Sequence, residues 1–319
     1  LERHIEPRPK VDWPHGPAIL AHDAELAGAG ITTVFDALRV GMLTSQKLDR
    51  ETSYARQVAS EIGALRDAGA LRISHRIHLR AEICSETLLQ ELADFGDGDG
   101  IGLVSLMDHT PGARQFRDIT KLWDYYHNKL GMSEDAFADY IAEMGALRAR
   151  VADRHEAGVV AFAHGVGAVL ASHDDTTAAH VATSAAHGVR LAEFPTTREA
   201  AEATHAAGIA IMMGAPNLIR GGSHSGNVAA AELAEAGLLD IISSDYVPAA
   251  LLSSVFVLER LWGDLPRAVA TVTHAPAQAT GLTDRGRLAE GLRGDLLRVA
   301  RIGGNTVPRG TWVAGHRVA

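Results

Sequence analysis

Cysteine is almost missing from this chain: Cys84 is the single one among 319 residues. An internal disulfide is excluded, and a reducing, cytoplasmic setting is expected. Positive charge is also in short supply. Thirty Lys and Arg stand against 39 Asp and Glu, a formal net charge of -9. A phosphate backbone demands clustered cations, so a nucleic-acid partner is not expected. A small phosphorylated substrate needs only a few local cations and stays admissible. No stretch approaches the roughly 18 apolar residues of a membrane span, so no membrane partner is expected either. Internal repeats and low-complexity linkers are lacking, and no leader segment is visible. The chain begins with Leu1, not Met.

What is there is a 46% hydrophobic chain, ample for one large α/β domain with a small appendage. Its apolar runs end in polar residues of metal- or phosphate-binding type. Run 73–79 ends in Arg80 and Glu82, and run 101–107 in Asp108 and His109. Run 168–172 ends in His173-Asp174-Asp175, run 189–192 in Glu193, and run 238–244 in Asp245. Parallel α/β folds build their sites at the C-terminal tips of successive strands. A site rich in His, Asp and Glu there suggests metal-assisted hydrolysis.

Patterning predicts a first helix at 17–28, closed by Gly28-Ala29-Gly30, then a strand at 31–35. Further strands are expected at 72–82, 101–107, 168–172, 189–193, 208–213 and 238–244. Helices are expected at 46–69, 85–94, 133–164, 176–187, 196–207, 227–237 and 250–279. These are long enough for right-handed crossovers between parallel strands. Seven strands with a helix in front fit a (β/α)8 TIM barrel whose first strand lies upstream of Leu1. A doubly wound sheet would gather its chemistry at one switch point, so the barrel is favoured. The barrel is expected over 1–283. Residues 284–319, with strands at 295–300 and 310–318, are expected to belong to a small β domain. A barrel short of a central strand leaves backbone groups unpaired, so the chain alone is expected to be insoluble or inactive.

Alternation in His75-Arg76-Ile77-His78-Leu79-Arg80-Ala81-Glu82 puts His78, Arg80 and Glu82 on one face. His173 is placed to bind metal, with its acidic neighbours orienting it or holding a second ion, and Asp175 doubling as a helix cap. Asp245 can bind metal and take a proton from an activated water. His109 can act as ligand, proton donor or turn residue. Glu193 can be a ligand, an acid behind a ligand, or structural. The stretch 214–227 is glycine-rich and polar. Its amides, with Arg220, Ser223, His224, Ser225 and Asn227, could cradle phosphate. Arg80 and Arg114 could add charge, as could Arg8 and Lys10. Most of the 16 histidines are expected to have no role in a site.

Several stretches together resemble one family. They include Pro7 to Pro14, Gly30 to Val34, His75 to Glu82, Ser105 to Phe116, Ala171 to Asp175 and Ala192 to Thr197. Met213 to Ala229 and Ser244-Asp245-Tyr246 complete the set, and Gly221-Gly222-Ser223-His224-Ser225-Gly226-Asn227 is specific. The family is that of the α-D-ribose 1-methylphosphonate 5-triphosphate diphosphatases of phosphonate (C–P lyase) metabolism, in the amidohydrolase superfamily. The resemblance implies one or two divalent ions (Mn, Fe, Zn or Mg) at the strand tips of a barrel. It implies Glu82, His173 and Asp245 as metal ligands, with Asp245 catalytic; Glu193 as a further ligand and His109 as a further catalytic residue are expected from their own strand ends. Arg80, Arg114, Arg220, Ser223, His224, Ser225 and Asn227 would then meet the phosphate chain. The superfamily's first-strand His-x-His or His-x-Asp motif is not found in this chain. Glu193 stands where many relatives carry histidine. The implied reaction releases pyrophosphate from a ribose triphosphate. An amide or cyclic-amide hydrolase, or an inactive fragment, is the alternative. Homo-oligomer formation is left open.

Overall fold

The computed structural model describes residues 1–41, 54–114, 119–223 and 226–319. Two helices come first, α1 (Glu2–Ile5) and α2 (His15–Gly28). Strands β1 (Thr33–Val40), β2 (Ser74–Glu82) and β3 (Ile101–Met107) follow, with α3 (Tyr54–Asp67) and α4 (Leu88–Leu92) between them. After α5 (Ile119–Leu130) and α6 (Glu134–Gly165), strand and helix alternate through β4 (Val169–His173), α7 (Ala178–Ala186), β5 (Leu191–Glu193) and α8 (Arg198–Ala206). Then come β6 (Ala210–Gly214), α9 (Ala215–Arg220), α10 (Ala230–Glu235) and β7 (Ile241–Ser243). Helices α11 (Pro248–Trp262), α12 (Leu265–Ala270) and α13 (His274–Ala279) lead to strands β8 (Leu296–Ile302), β9 (Asn305–Val313) and β10 (His316–Arg317).

The first seven strands form one parallel sheet in the order β1 to β7, and the last three form a small antiparallel sheet. Among the described residues no strand pairs with the outer side of β1 or β7. Inward-facing Phe35, Leu103, Leu191, Met212 and Ile241 come from strands across the whole sheet, yet they line one cavity of about 1030 Å³. The sheet is therefore curled around that cavity, and alternate residues such as Leu38, Ile77 and Val104 pack outward under α2, α3 and α6.

Local signals explain most boundaries. Ser133, Thr177 and Thr197 accept bonds from Ala136, His180 and Ala200 backbone N–H groups, starting α6, α7 and α8. The cap of α7 is thus Thr177, not Asp175 as expected; Asp175 is buried and turned to other partners. The helix expected over 250–279 is three helices. Gly263 leaves α11 at φ 67°, and Asp264 accepts from Arg267 N–H at 2.9 Å to start α12. The 214–227 stretch is not all loop either. Pro216 starts α9 and Gly221 ends it at φ 79°. The first expected strand, 31–35, runs on through Asp36 to Val40.

Asp36 cannot be read as a strand residue from pattern, because it is charged and nearly fully buried. Its partners come from elsewhere in the fold. His75 Nδ1 lies 2.7 Å from Asp36 Oδ2, and His75 Nε2 lies 3.3 Å from Asp23 Oδ1. His22 Nε2 lies 3.2 Å from Asp36 Oδ1. Burial works against the His75 cation, but Asp23 and Asp36 outweigh it and lift the imidazole to about 9. Burial would raise Asp36, but His22 and His75 hold it at about 2. This ion cluster pins α2 to β1 and β2. Arg285 ties the chain after α13 to the same strands, donating to Thr33 Oγ1 at 3.0 Å and Ser74 Oγ at 3.2 Å. Thr311 donates to Ala27 O at 2.9 Å and joins the small sheet to α2.

Candidate metal centre

Register brings the polar strand ends together. Arg80 stands beside Ser105, and His173 beside Glu193. Glu82 is fully buried and accepts from His109 twice, from the backbone N–H at 3.1 Å and from Nδ1 at 2.5 Å. Glu193 accepts from His173 Nδ1 at 3.0 Å and from Ser105 Oγ at 2.7 Å. Each histidine is thus oriented by a carboxylate through Nδ1, which puts the lone pair on Nε2. The two rings stand edge to face with centroids 5.8 Å apart. Side-chain ligand atoms of His109, His173 and Asp174 lie within 4.8 Å of one another, and all three residues are buried.

Burial pushes His173 down to about 3, with Arg80, His109 and Arg114 pushing the same way against Asp174. Burial likewise lowers His78 to about 4. His173 is therefore a neutral imidazole, the form that binds a metal. Its Nε2 is 3.3 Å from Asp174 Oδ2 and 3.2 Å from Arg80 Nη2. The Arg80 guanidinium supplies positive charge beside that lone pair and carboxylate oxygen. Two imidazoles and a carboxylate suit a divalent transition ion, so this donor set fits the metal the resemblance implies.

The other expected residues divide. His78, Arg80, Glu193 and Asp245 line the cavity. Arg114 donates to His173 O at 2.8 Å and to Asp175 Oδ1 at 2.5 Å, and Ser184 holds the second oxygen of Asp175. It thereby secures the tip of β4. Asp108, where burial alone would raise the pKa, is held below the usual carboxylate range by Thr110 and Arg148. Arg220 is exposed at the end of α9, and among the described residues Arg220, Ser223 and Asn227 do not line the cavity. Arg8 and Lys10 are exposed. His224 and Ser225 lie outside the described residues.

Backbone conformation marks the same strand tips. Asp174 (φ 56°), Phe194 (φ 56°) and Asp245 (φ 51°) follow β4, β5 and β7 in the left-handed region without being glycine. Such conformations cost of order 1–3 kcal/mol each and collect at functional sites.

No family model matches the chain. Over 324 residues it is 44% identical to the alpha-D-ribose 1-methylphosphonate 5-triphosphate diphosphatase of Escherichia coli (strain K12), spanning 100% of this chain and 84% of that protein. This chain belongs to that diphosphatase family. Solved structures similar to this family member include a 5-methylcytosine deaminase from Klebsiella pneumoniae, at TM-score 0.56 and 15% identity over 96% of this chain and 74% of that one. A dihydropyrimidinase from Brevibacillus agri matches at TM-score 0.55 and 12% identity, over 93% of this chain and 78% of that one. The fold of the diphosphatase-family chain is the amidohydrolase type of TIM barrel, with a small β sheet added. Among its described residues no helix is long and apolar enough to cross a membrane.

The sequence reads the acids beside His173 as orienting it or holding a second ion, and in the structure Asp174 groups with His109 and His173 themselves. One residue beside this group escapes a reading of the sequence. Ser105 gives no motif, although it is the lone polar side chain in Ile101-Gly102-Leu103-Val104-Ser105-Leu106-Met107. A polar residue inside an otherwise apolar strand is the signal that could have found it.

Proposed function

We propose that this chain hydrolyses α-D-ribose 1-methylphosphonate 5-triphosphate to the 5-phosphate and pyrophosphate, with one or two divalent ions, in the cytoplasm. The observation that carries this reading is the 44% identity over the whole chain to the E. coli diphosphatase. The carboxylate-backed pair His109 and His173, with Asp174, supports the metal requirement. Manganese, iron, zinc and magnesium are the candidate ions.

Water adds to phosphorus, the anhydride link between the first and second phosphates breaks, and pyrophosphate leaves. A divalent ion, when bound, supplies positive charge that activates water and polarises the phosphoryl oxygen. His109, His173 and Asp174 would hold it, and Glu82 and Glu193 would orient the histidines. Asp245, on the cavity wall, would receive the proton released by the attacking water. Arg80 faces the cavity and offers a cation to the phosphate chain as charge develops. Assignment of Arg220, Ser223, His224, Ser225 and Asn227 to that chain rests on the sequence resemblance. Residues 1–283 are taken as the hydrolase barrel and 284–319 as part of a small β domain.

Chelation tests the metal requirement. Protein dialysed against a chelator should release no pyrophosphate from the triphosphate, and added manganese should restore release. Full activity in the chelated protein, with no metal detectable by mass spectrometry, would refute it.

A further inference from the structure

Ser105 is fully buried in β3, with no surface to hydrate its hydroxyl. Its one proton goes to Glu193 Oε2 at 2.7 Å. Its oxygen must then accept from His78 Nε2, which lies 2.6 Å away. A carboxylate only accepts. Glu193 Oε2 therefore also takes the Nδ1 proton of His173, at 3.0 Å. Three strands, β2, β3 and β5, supply the members of this chain, and it ends on a histidine of a fourth.

Directions of all three bonds follow from Glu193 being an acceptor. Glu193 also has a competing donor close by, since its Oε1 is 3.7 Å from His78 Nε2. With the Ser105 hydroxyl between them, His78 is satisfied and Glu193 stays aimed at His173. Without the hydroxyl, His78 Nε2–H loses its acceptor in a buried site, where an unmet donor is costly. A small turn of the Glu193 carboxylate would satisfy it, at the expense of His173.

We infer that Ser105 is a positioning residue, whose hydroxyl holds Glu193 on His173 Nδ1 and so keeps His173 Nε2 turned toward His109 and Asp174. The inference rests on the proposed metal-binding role of His173. Glu193 is the partner one step behind the ligand, a kind worth about 10–100-fold in metal affinity, and Ser105 acts through it, so its share lies at or below the lower end, about 3–10-fold.

The test uses the full chain with 15N-labelled histidine, as wild type, Ser105→Ala and Ser105→Thr. In metal-free wild type, the imidazole 15N spectrum should show His173 protonated on Nδ1. Ser105→Ala should shift that ring toward a mixture of tautomers. Its manganese dissociation constant should rise about 3–10-fold, with a melting temperature close to wild type. Ser105→Thr, which keeps a hydroxyl, should recover most of the lost affinity. Wild-type His173 protonated on Nε2 would overturn the inference, as would a manganese affinity of Ser105→Ala within twofold of wild type. Failure of wild type itself to bind any of manganese, iron, zinc and magnesium would sink the metal-dependent hydrolase reading instead, and the metal-free spectrum would still decide the role of Ser105.

Discussion

Asp245→Asn is expected to lower turnover by about 10²–10⁴-fold while the protein stays folded and still binds metal, the range typical for losing a positioned proton acceptor. The substitution keeps size and shape and removes only basicity. It also keeps the backbone content. Asp245 sits at φ 51°, where Asn is among the few residues at ease. Space for the side chain comes from Gly214, where a Cβ would stand 2.9 Å from Asp245 Oδ2. Asp245→Ala is a poorer probe, because it adds backbone strain to the lost carboxylate. Turnover of Asp245→Asn within threefold of wild type would remove this residue from proton transfer.

His75→Ala should destabilise the fold by about 3–5 kcal/mol, the usual consequence of removing one partner from a buried ion cluster. Asp36 and Asp23 would be left facing the vacated space. Asp23 keeps bonds from the Arg72 and Ile73 N–H groups, and Asp36 keeps His22. The pH dependence carries the same information with a definite sign. His75 is raised from 6.5 to about 9 on folding, so its stabilisation is complete below about pH 6.5 and fades as pH rises toward 9. Asp36 is lowered from 3.8 to about 2, so its stabilisation is complete above about pH 4 and is lost as pH falls toward 2. Buried neutral His173 and His78, lowered to about 3 and 4, act with the opposite sign and lose their stabilisation as pH falls below about 6.5. The His75 slope is therefore read from the difference between proteins: the stability gap between wild type and His75→Ala should narrow by about 2 kcal/mol from pH 6 to pH 8, because the variant lacks that slope. Denaturant titrations at pH 6 and 8 measure both. A variant within 1 kcal/mol of wild type, with the slope intact, would mean the cluster does not hold α2 to the sheet.

Strands bounded by turn signals are legible in the sequence. Ile101–Met107 is an apolar run between Gly100 and Asp108, and it folds over those same residues. Strand β1 reads too short from pattern because Asp36 breaks its apolar run, and only α2 and β2 explain why a carboxylate can sit there. The three helices after β7 read as one because Val247 to Ala279 is apolar and rich in alanine, while the first of the two breaks depends on one left-handed glycine. At the site, the polar residues named at strand ends do lie at the tips of the parallel strands. Pairings are not legible, because Glu82 with His109 and Glu193 with His173 are contacts across 27 and 20 residues. Along the chain Glu82 reads as a ligand, and Glu193 as a ligand, an acid behind a ligand, or structural. In three dimensions each accepts a proton from a histidine beside the group of His109, His173 and Asp174.

The most direct measurement is phosphorus NMR of the manganese-loaded protein with α-D-ribose 1-methylphosphonate 5-triphosphate, run beside His173→Ala. Wild type should convert the triphosphate resonances into those of pyrophosphate and a 5-phosphoribosyl product, and His173→Ala should leave them unchanged. An unchanged wild-type spectrum with metal bound, or equal conversion by His173→Ala, would contradict the account.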